Sequence, residues 1–193
     1  MWPLKIIVVL FHELGHASAA LLTGGEVLEI GLSPQEGGYT ITRGGNPLVI
    51  LNAGYLGSML TGMLFLVFSR DTMASRGVAL FLAGLLIALP FPLMAWLSFG
   101  QIFTLISGLI LLPLALFLPS VALRWGLRAL GVFSVVYGIY DVWSDVLVMA
   151  SESELLSDAA KLEQLTGVPS LVWGLSWVVL GIGILILGRK LLV

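Results

Sequence analysis

The sequence predicts an all-α polytopic membrane protein of about six transmembrane helices, with a small β-hairpin between the first helix and the second. Apolar residues make up 59% of the 193-residue chain and charged residues 10%, and the mean hydropathy is +1.07. Soluble domains carry about 25% charged residues. Six stretches are apolar over the roughly 20 residues that a bilayer span needs, and no alternating β-barrel pattern is present. This composition excludes a soluble globular enzyme and a disordered chain. Because no basic run exists, it also excludes a nucleic-acid partner.

The six predicted spans follow one another along a single membrane-embedded domain, residues 1–193. The third and fourth are separated by Phe99 and Gly100, where a tight turn is predicted. Prolines within these two spans are expected to kink them, which neighbouring helices tolerate. The predicted spans are 3–23, 47–68, 77–98, 101–119, 127–149 and 169–188.

Two polar connections interrupt the apolar pattern. Residues 24–46 are rich in glycine, with a turn-forming stretch at 33–37 followed by the strand-favouring residues 39–42, so a hairpin is predicted that lies outside the membrane or dips back into it. Residues 150–168 form an acidic connection with leucines among the acids. That pattern is typical of a short amphipathic helix on the membrane surface.

Basic residues are unevenly divided between the two sides of the six-span arrangement. Seven of the nine Lys and Arg residues fall on the side that holds both chain ends, and two fall on the other. Cytoplasmic segments carry an excess of basic residues, so both termini are predicted to be cytoplasmic. A tag at either end should be labelled only in permeabilised cells, and labelling of a C-terminal tag on intact cells would contradict this. The larger set is Lys5, Arg70, Arg76, Arg124, Arg128, Arg189 and Lys190, and the smaller set is Arg43 and Lys161.

The first span carries an H-E-x-x-H motif, His12-Glu13-Leu14-Gly15-His16. Residues four apart share one face of a helix, so the imidazoles of His12 and His16 can bind one zinc ion. Glu13 can then take a proton from a metal-bound water. The chain has no other histidine, and ionisable groups within a span are costly and usually functional. The motif therefore favours one zinc ion per chain over a pair of histidines that merely join helices by hydrogen bonds.

A catalytic zinc ion needs a third protein ligand, and here it must be a carboxylate, since the chain has no Cys and no third His. Asp141 and Asp145 lie within the fifth predicted span, one helical turn apart. By rise per residue, Asp141 matches the depth of the histidines better. Asp145 is an alternative ligand, or a partner that orients a ligand histidine. Asp158 is a weaker candidate, because solvation in a charged connection would explain it.

Several short motifs together resemble the compact branch of the site-2 protease family, the membrane-embedded zinc metallopeptidases. The resemblance implies hydrolysis of a peptide bond in a membrane-spanning protein or peptide substrate, inside the lipid bilayer. It also implies two His and one Asp as zinc ligands, with the motif Glu as the catalytic acid and base. By this resemblance His12 and His16 are ligands and Glu13 is catalytic. Many site-2 proteases carry the third ligand before Gly, whereas Val142 follows Asp141 here. The matching segments are 12–17, 23–25, 37–40, 53–58, 140–141 and 157–159.

Other functions are compatible with parts of this pattern. A non-catalytic scaffold or substrate-binding relative of the same fold would not need Glu13 beside a ligand pair. A metal carrier or transporter would show polar residues along several spans, and the third and fourth spans are nearly free of them. Asn52 in the second span is a candidate for binding a substrate carbonyl, although such amides more often hydrogen-bond a neighbouring helix.

Overall fold

Helices and one small antiparallel sheet make up the computed structural model, which describes residues 2–148 and 157–192. The predictions for residues 149–156, in the acidic connection and at the end of the fifth span, lie outside these ranges. A π-helical turn, Trp143–Val148, continues α6. The elements are α1 (Trp2–Leu22), β1 (Glu26–Leu32), β2 (Gly38–Arg43), α2 (Pro47–Phe68), α3 (Thr72–Ala88), α4 (Pro90–Leu93), α5 (Phe99–Phe117), α6 (Ser120–Val142), α7 (Asp158–Thr166) and α8 (Ser170–Leu192).

The predicted fold class is confirmed, since among the described residues six helical segments are long and apolar enough to cross a bilayer, and a two-stranded sheet lies between the first and second of them. The chain is therefore an integral, multi-pass membrane protein. The segments are Trp2–Leu22, Pro47–Phe68, Thr72–Leu93, Phe99–Phe117, Ser120–Val146 and Ser170–Lys190.

Two predicted span starts are wrong because basic side chains lie inside the helices. The third span begins at Thr72 rather than at residue 77, and the Arg76 guanidinium donates to two carbonyl oxygens at the end of α5, at 2.6 and 2.7 Å. The fifth begins at Ser120 rather than at residue 127, and Arg124 donates to the carbonyl oxygen of Ser69 at 2.9 Å. Both predicted spans were limited to apolar stretches, whereas these arginines are accommodated within the helices because they satisfy main-chain oxygens that helix ends leave free.

The predicted turn at Phe99 and Gly100 is also wrong. Both residues belong to the first turn of α5, and the connection from α4 is formed by residues 94–98. Ser98 is the N-cap of α5, and its hydroxyl accepts a hydrogen bond from the amide of Gln101 at 3.1 Å. Such a cap satisfies an amide that the helix cannot, which fixes where α5 begins.

The hairpin folds back along α1 rather than extending away from it. Its strands pair antiparallel from Glu26 opposite Arg43 to Leu32 opposite Gly38. The turn that joins them lies near the start of α1, where the Trp2 indole donates to the carbonyl oxygen of residue 34 at 2.8 Å. Strand β2 consequently runs beside the H-E-x-x-H motif.

Small residues let α2 pack closely between α1 and α6. Gly15 of α1 meets the backbone of Ala53, and Gly62 of α2 meets the backbone of Gly131 in α6. On the same helix, Gly54 faces the motif helix, whereas Gly62 faces α6. Small residues on both helices therefore bring three backbones together around the motif.

Buried apolar side chains form two main clusters beside these contacts. The first surrounds α1 and the hairpin, and the second lies between α2, α6, α7 and α8. Tyr55 and Trp177, the largest fully buried side chains, belong to the second cluster. The motif helix is thus enclosed on most sides by packed protein.

Gly15→Ala is expected to destabilise the protein by about 1–3 kcal/mol, the usual cost of overpacking. A Cβ atom there would collide with the carbonyl oxygen of Ala53 and lie 2.9 Å from its carbonyl carbon, so α1 and α2 would have to separate. Gly84→Ala in α3 is the control, because nothing lies within 4 Å of its Cβ position and alanine favours a helix. Unfolding of both variants in detergent would measure the difference. Equal stability of the two would contradict close packing at Gly15.

Candidate metal centre

His12 and His16 lie one turn apart on α1 and meet the carboxylate of Asp158. The Oδ2 atom of Asp158 is 3.1 Å from Nε2 of His12 and 2.9 Å from Nε2 of His16, and the two Nε2 atoms are 3.0 Å apart. Asp158 opens α7, which Ser157 caps by accepting a hydrogen bond from the amide of Ala160. The start of one short helix thus meets the middle of another, 146 residues away in the sequence.

These three side chains fit a zinc ion. Bonds of 2.0–2.1 Å in a tetrahedral site separate ligand atoms by about 3.3 Å, close to the distances found here. Nδ1 of His16 lies 2.7 Å from the carbonyl oxygen of Ile50. A carbonyl only accepts hydrogen bonds, so Nδ1 carries the hydrogen and Nε2 presents a lone pair. Lone pairs that converge on one point, with a carboxylate among them, are what a cation requires.

Asp158 is buried and ionised. Burial alone would raise its pKa, but without a metal the imidazoles of His12 and His16 can each carry a hydrogen on Nε2 and donate it to the carboxylate, which holds that pKa well below its ordinary value. Its second oxygen, Oδ1, lies 3.3 Å from the ammonium group of Lys161. The carboxylate therefore carries a full negative charge at neutral pH, as a metal ligand must.

Gly54 of α2 leaves room for both imidazoles. A Cβ atom at this position would lie 2.6 Å from Cε1 of His12 and equally close to Cε1 of His16. Carbon atoms do not approach one another so closely, so any larger residue would displace the rings. The geometry of the histidine pair therefore depends on a glycine in the neighbouring helix.

Glu13 is buried with 4% of its surface exposed, and it borders the same cavity as the histidines. Its Oε2 atom accepts a hydrogen bond of 2.7 Å from the hydroxyl of Thr40 in β2. Gly38, two residues earlier, packs against the rest of the side chain. The cavity has a volume of about 470 Å³, and its lining also includes Tyr39, Tyr55, Asp141, Asp145 and Lys161.

Asp141 and Asp145 border the cavity, but neither belongs to the group of three converging ligand atoms found among the described residues. Asp145 accepts a hydrogen bond of 2.7 Å from the hydroxyl of Tyr55. The Tyr55 ring packs edge-on against His12, with centroids 4.5 Å apart. Asp145 thus reaches a histidine through one intervening side chain. Asp158, the weaker candidate from the sequence, is the carboxylate that lies beside both imidazoles. The resemblance to the site-2 protease family at residues 157–159 was the sequence signal that pointed to it.

Asn52 lies apart from the cavity. Its amide nitrogen donates to the carbonyl oxygen of Leu48 at 2.8 Å, and its amide oxygen accepts from the indole of Trp177 at 2.9 Å. The residue borders a separate apolar groove of about 820 Å³ between α1, α2 and α3. The amide of Asn52 therefore joins α2 to α8 by a hydrogen bond, which is the alternative to substrate binding that the sequence left open.

Comparison with known proteins gives one match. A family model described as Peptidase M50B-like covers residues 1–188 of the chain. No curated protein and no solved structure matches it.

Proposed function

Because the chain belongs to the Peptidase M50B-like family, within the site-2 protease (M50) family, we propose that it is an intramembrane zinc metalloprotease. The observation that carries the proposal is the meeting of His12, His16 and Asp158 in one cavity with the buried carboxylate of Glu13. A scaffold would have no use for a carboxylate held beside a metal site.

His12, His16 and Asp158 are the proposed ligands of one zinc ion per chain. Asp158 is preferred to Asp141 because its Oδ2 atom lies within 3.1 Å of both imidazole nitrogens. Asp145 is proposed to act indirectly, since its hydrogen bond holds Tyr55 against the His12 ring. Groups that fix a ligand imidazole in this way usually matter almost as much as the ligands themselves.

The proposed chemistry is hydrolysis of a peptide bond by water. Zinc at this position would polarise the substrate carbonyl and lower the pKa of water to about 7. Glu13 accepts the proton of the attacking water on its carboxylate. It then donates that proton to the amide nitrogen of the breaking C–N bond, so the products are a carboxylic acid and an amine.

The proposed substrate is a membrane-spanning protein or peptide that enters the cavity in an extended conformation. A helical segment hides its peptide bonds, so it must unwind before one of them reaches the site. Within the described chain the sheet has two strands, and β2 is paired on one edge, with β1. Tyr39 and Thr40 of β2 border the cavity. An extended substrate could hydrogen-bond to this strand.

Metal content and cleavage together test the proposal. Protein purified without chelator should contain one zinc ion per chain and cleave single-span peptides in reconstituted liposomes. A chelator should abolish cleavage, and added zinc should restore it. Folded protein that lacks zinc would contradict the metal site. Zinc-loaded protein that binds membrane peptides without cleaving any of them would support the scaffold alternative.

A further inference from the structure

Thr40 makes a direct polar contact between the β-hairpin and the carboxylate of Glu13. We propose that Thr40 is a positioning residue that fixes the orientation of the Glu13 carboxylate, an inference that rests on the function proposed above. The hydroxyl oxygen of Thr40 lies 2.7 Å from Oε2 of Glu13 and 3.1 Å from the main-chain oxygen of the same residue. The hairpin thus holds this side chain in addition to its proposed contact with substrate.

The hydroxyl has one hydrogen and two acceptors within reach. While Glu13 is ionised, the hydrogen belongs on the nearer carboxylate oxygen, since hydrogen bonds to a charged acceptor are about twice as strong as neutral ones. The main-chain oxygen of Glu13 is the second acceptor within reach of the same hydroxyl. Thr40 therefore contacts both the side chain and the backbone of Glu13.

Gly38 restrains the other side of the same carboxylate. A Cβ atom at Gly38 would lie 2.6 Å from Oε1 and 2.9 Å from Cγ of Glu13. The backbone of β2 therefore packs directly on the side chain, and Thr40 binds it two residues further along the strand. A hydroxyl on one side and a bare backbone on the other leave Glu13 little freedom to rotate.

Thr40→Val and Thr40→Ser separate the hydroxyl from the shape of the side chain. Valine replaces the hydroxyl by a methyl group, and kcat should fall about 10- to 100-fold, the range expected when a catalytic group is slightly misplaced. KM should change little, because Glu13 rather than the substrate loses its partner. Serine keeps the hydroxyl and should restore most of kcat. Thr42 borders the same cavity two residues along the strand, but its hydroxyl forms no hydrogen bond to Glu13 in the described structure. Thr42→Val therefore changes the cavity wall without changing the contact with Glu13, and it should lower kcat far less than Thr40→Val.

Infrared spectroscopy measures the contact without relying on cleavage. The zinc-loaded protein is labelled with ¹³C-glutamate. Subtracting the spectrum of the labelled Glu13→Gln variant then leaves the carboxylate band of Glu13. Thr40→Val should shift this band, whereas Thr40→Ser and Thr42→Val should leave it in place. An unshifted band in Thr40→Val would overturn the inference, whether or not the protein cleaves peptides. If Thr40→Val shifts the band but the wild-type protein cleaves no peptide, the result counts against the proposed function and not against this inference.

A double substitution tests whether Thr40 acts through Glu13. In a Glu13→Gln background, Thr40→Val should lower the residual kcat no further, because the group it positions is already absent. A further fall of the size seen in the wild-type background would mean that Thr40 acts on the substrate, and the inference would fail.

A glycine pair provides an independent variant that keeps Thr40 intact. Gly38→Ala should displace Glu13 and lower kcat at least as strongly as Thr40→Val. Gly37→Ala is the matched control, since the nearest atom to its Cβ position is 3.9 Å away. Neither glycine has a positive φ, so alanine fits the backbone at both positions. Equal kcat in the two variants would contradict close packing of β2 on the catalytic carboxylate.

Discussion

Replacing Glu13 by glutamine is expected to lower the rate of peptide cleavage at least about 100-fold while one zinc ion per chain remains bound. Proton transfer by a positioned side chain contributes about 10²- to 10⁴-fold to a rate, and glutamine cannot accept the proton. The amide has nearly the same size and can still bind the hydroxyl of Thr40, so the fold should survive. Turnover of a reconstituted peptide and the zinc content of the same sample provide the measurement.

Glu26→Gln is the matched control for this change. Glu26 opens β1 in the same hairpin, and its side chain is 55% exposed and pairs with Arg43. Its replacement makes the same change of charge away from the cavity, and cleavage should continue at nearly the wild-type rate. If Glu13→Gln cleaves as fast as the wild type, Glu13 is not the proton acceptor.

Asp158→Asn is expected to lower the affinity for zinc at least about 100-fold and to abolish cleavage with it. Loss of a group that merely orients a ligand costs 10- to 100-fold in affinity, and loss of the negative ligand itself should cost more. The neutral amide would also face Nε2 of His16 without the charge that a cation requires. Titration of the metal-free protein with zinc, followed by a cleavage assay, measures both effects.

Asp141→Asn is the informative comparison, because Asp141 borders the same cavity and was predicted from the sequence to be the third ligand. Its replacement should leave one zinc ion bound. The reverse outcome, with zinc lost from Asp141→Asn and kept by Asp158→Asn, would reject the proposed ligand set in favour of the one predicted from depth in the membrane.

Local sequence patterns were sufficient to predict most of the architecture. Spans and the hairpin follow from hydropathy and turn residues, which act over a few neighbouring positions. Two of the boundary errors arose where a side chain acts at long range, as when Arg76 of α3 binds carbonyl oxygens at the end of α5. The start of a helix cannot be read from charge alone when the charge has a distant main-chain partner.

In the candidate site, too, residues brought together by local spacing could be predicted, whereas a residue brought in by tertiary packing could not. His12, Glu13 and His16 are adjacent on one helix, so spacing alone brings them together. Asp158 reaches them because α7 packs against the bundle, and in the sequence it looks like a solvated acid. Depth along a straight helix favoured Asp141, and that residue does reach the cavity. Rise per residue thus located the correct level in the bundle, but it could not identify which carboxylate turns toward the imidazoles.

A single substitution at Gly54 would be enough to abolish the proposed activity. A change from glycine to alanine keeps the second span apolar and helical, so membrane insertion and topology would not change. The same methyl group would push against both imidazoles, and the H-E-x-x-H motif would remain in the sequence with its rings displaced. A paralogue could thus become an inactive pseudoenzyme with every ligand residue intact. A residue larger than glycine at the position of Gly54 in a related sequence would therefore predict displaced imidazoles even where the motif is intact.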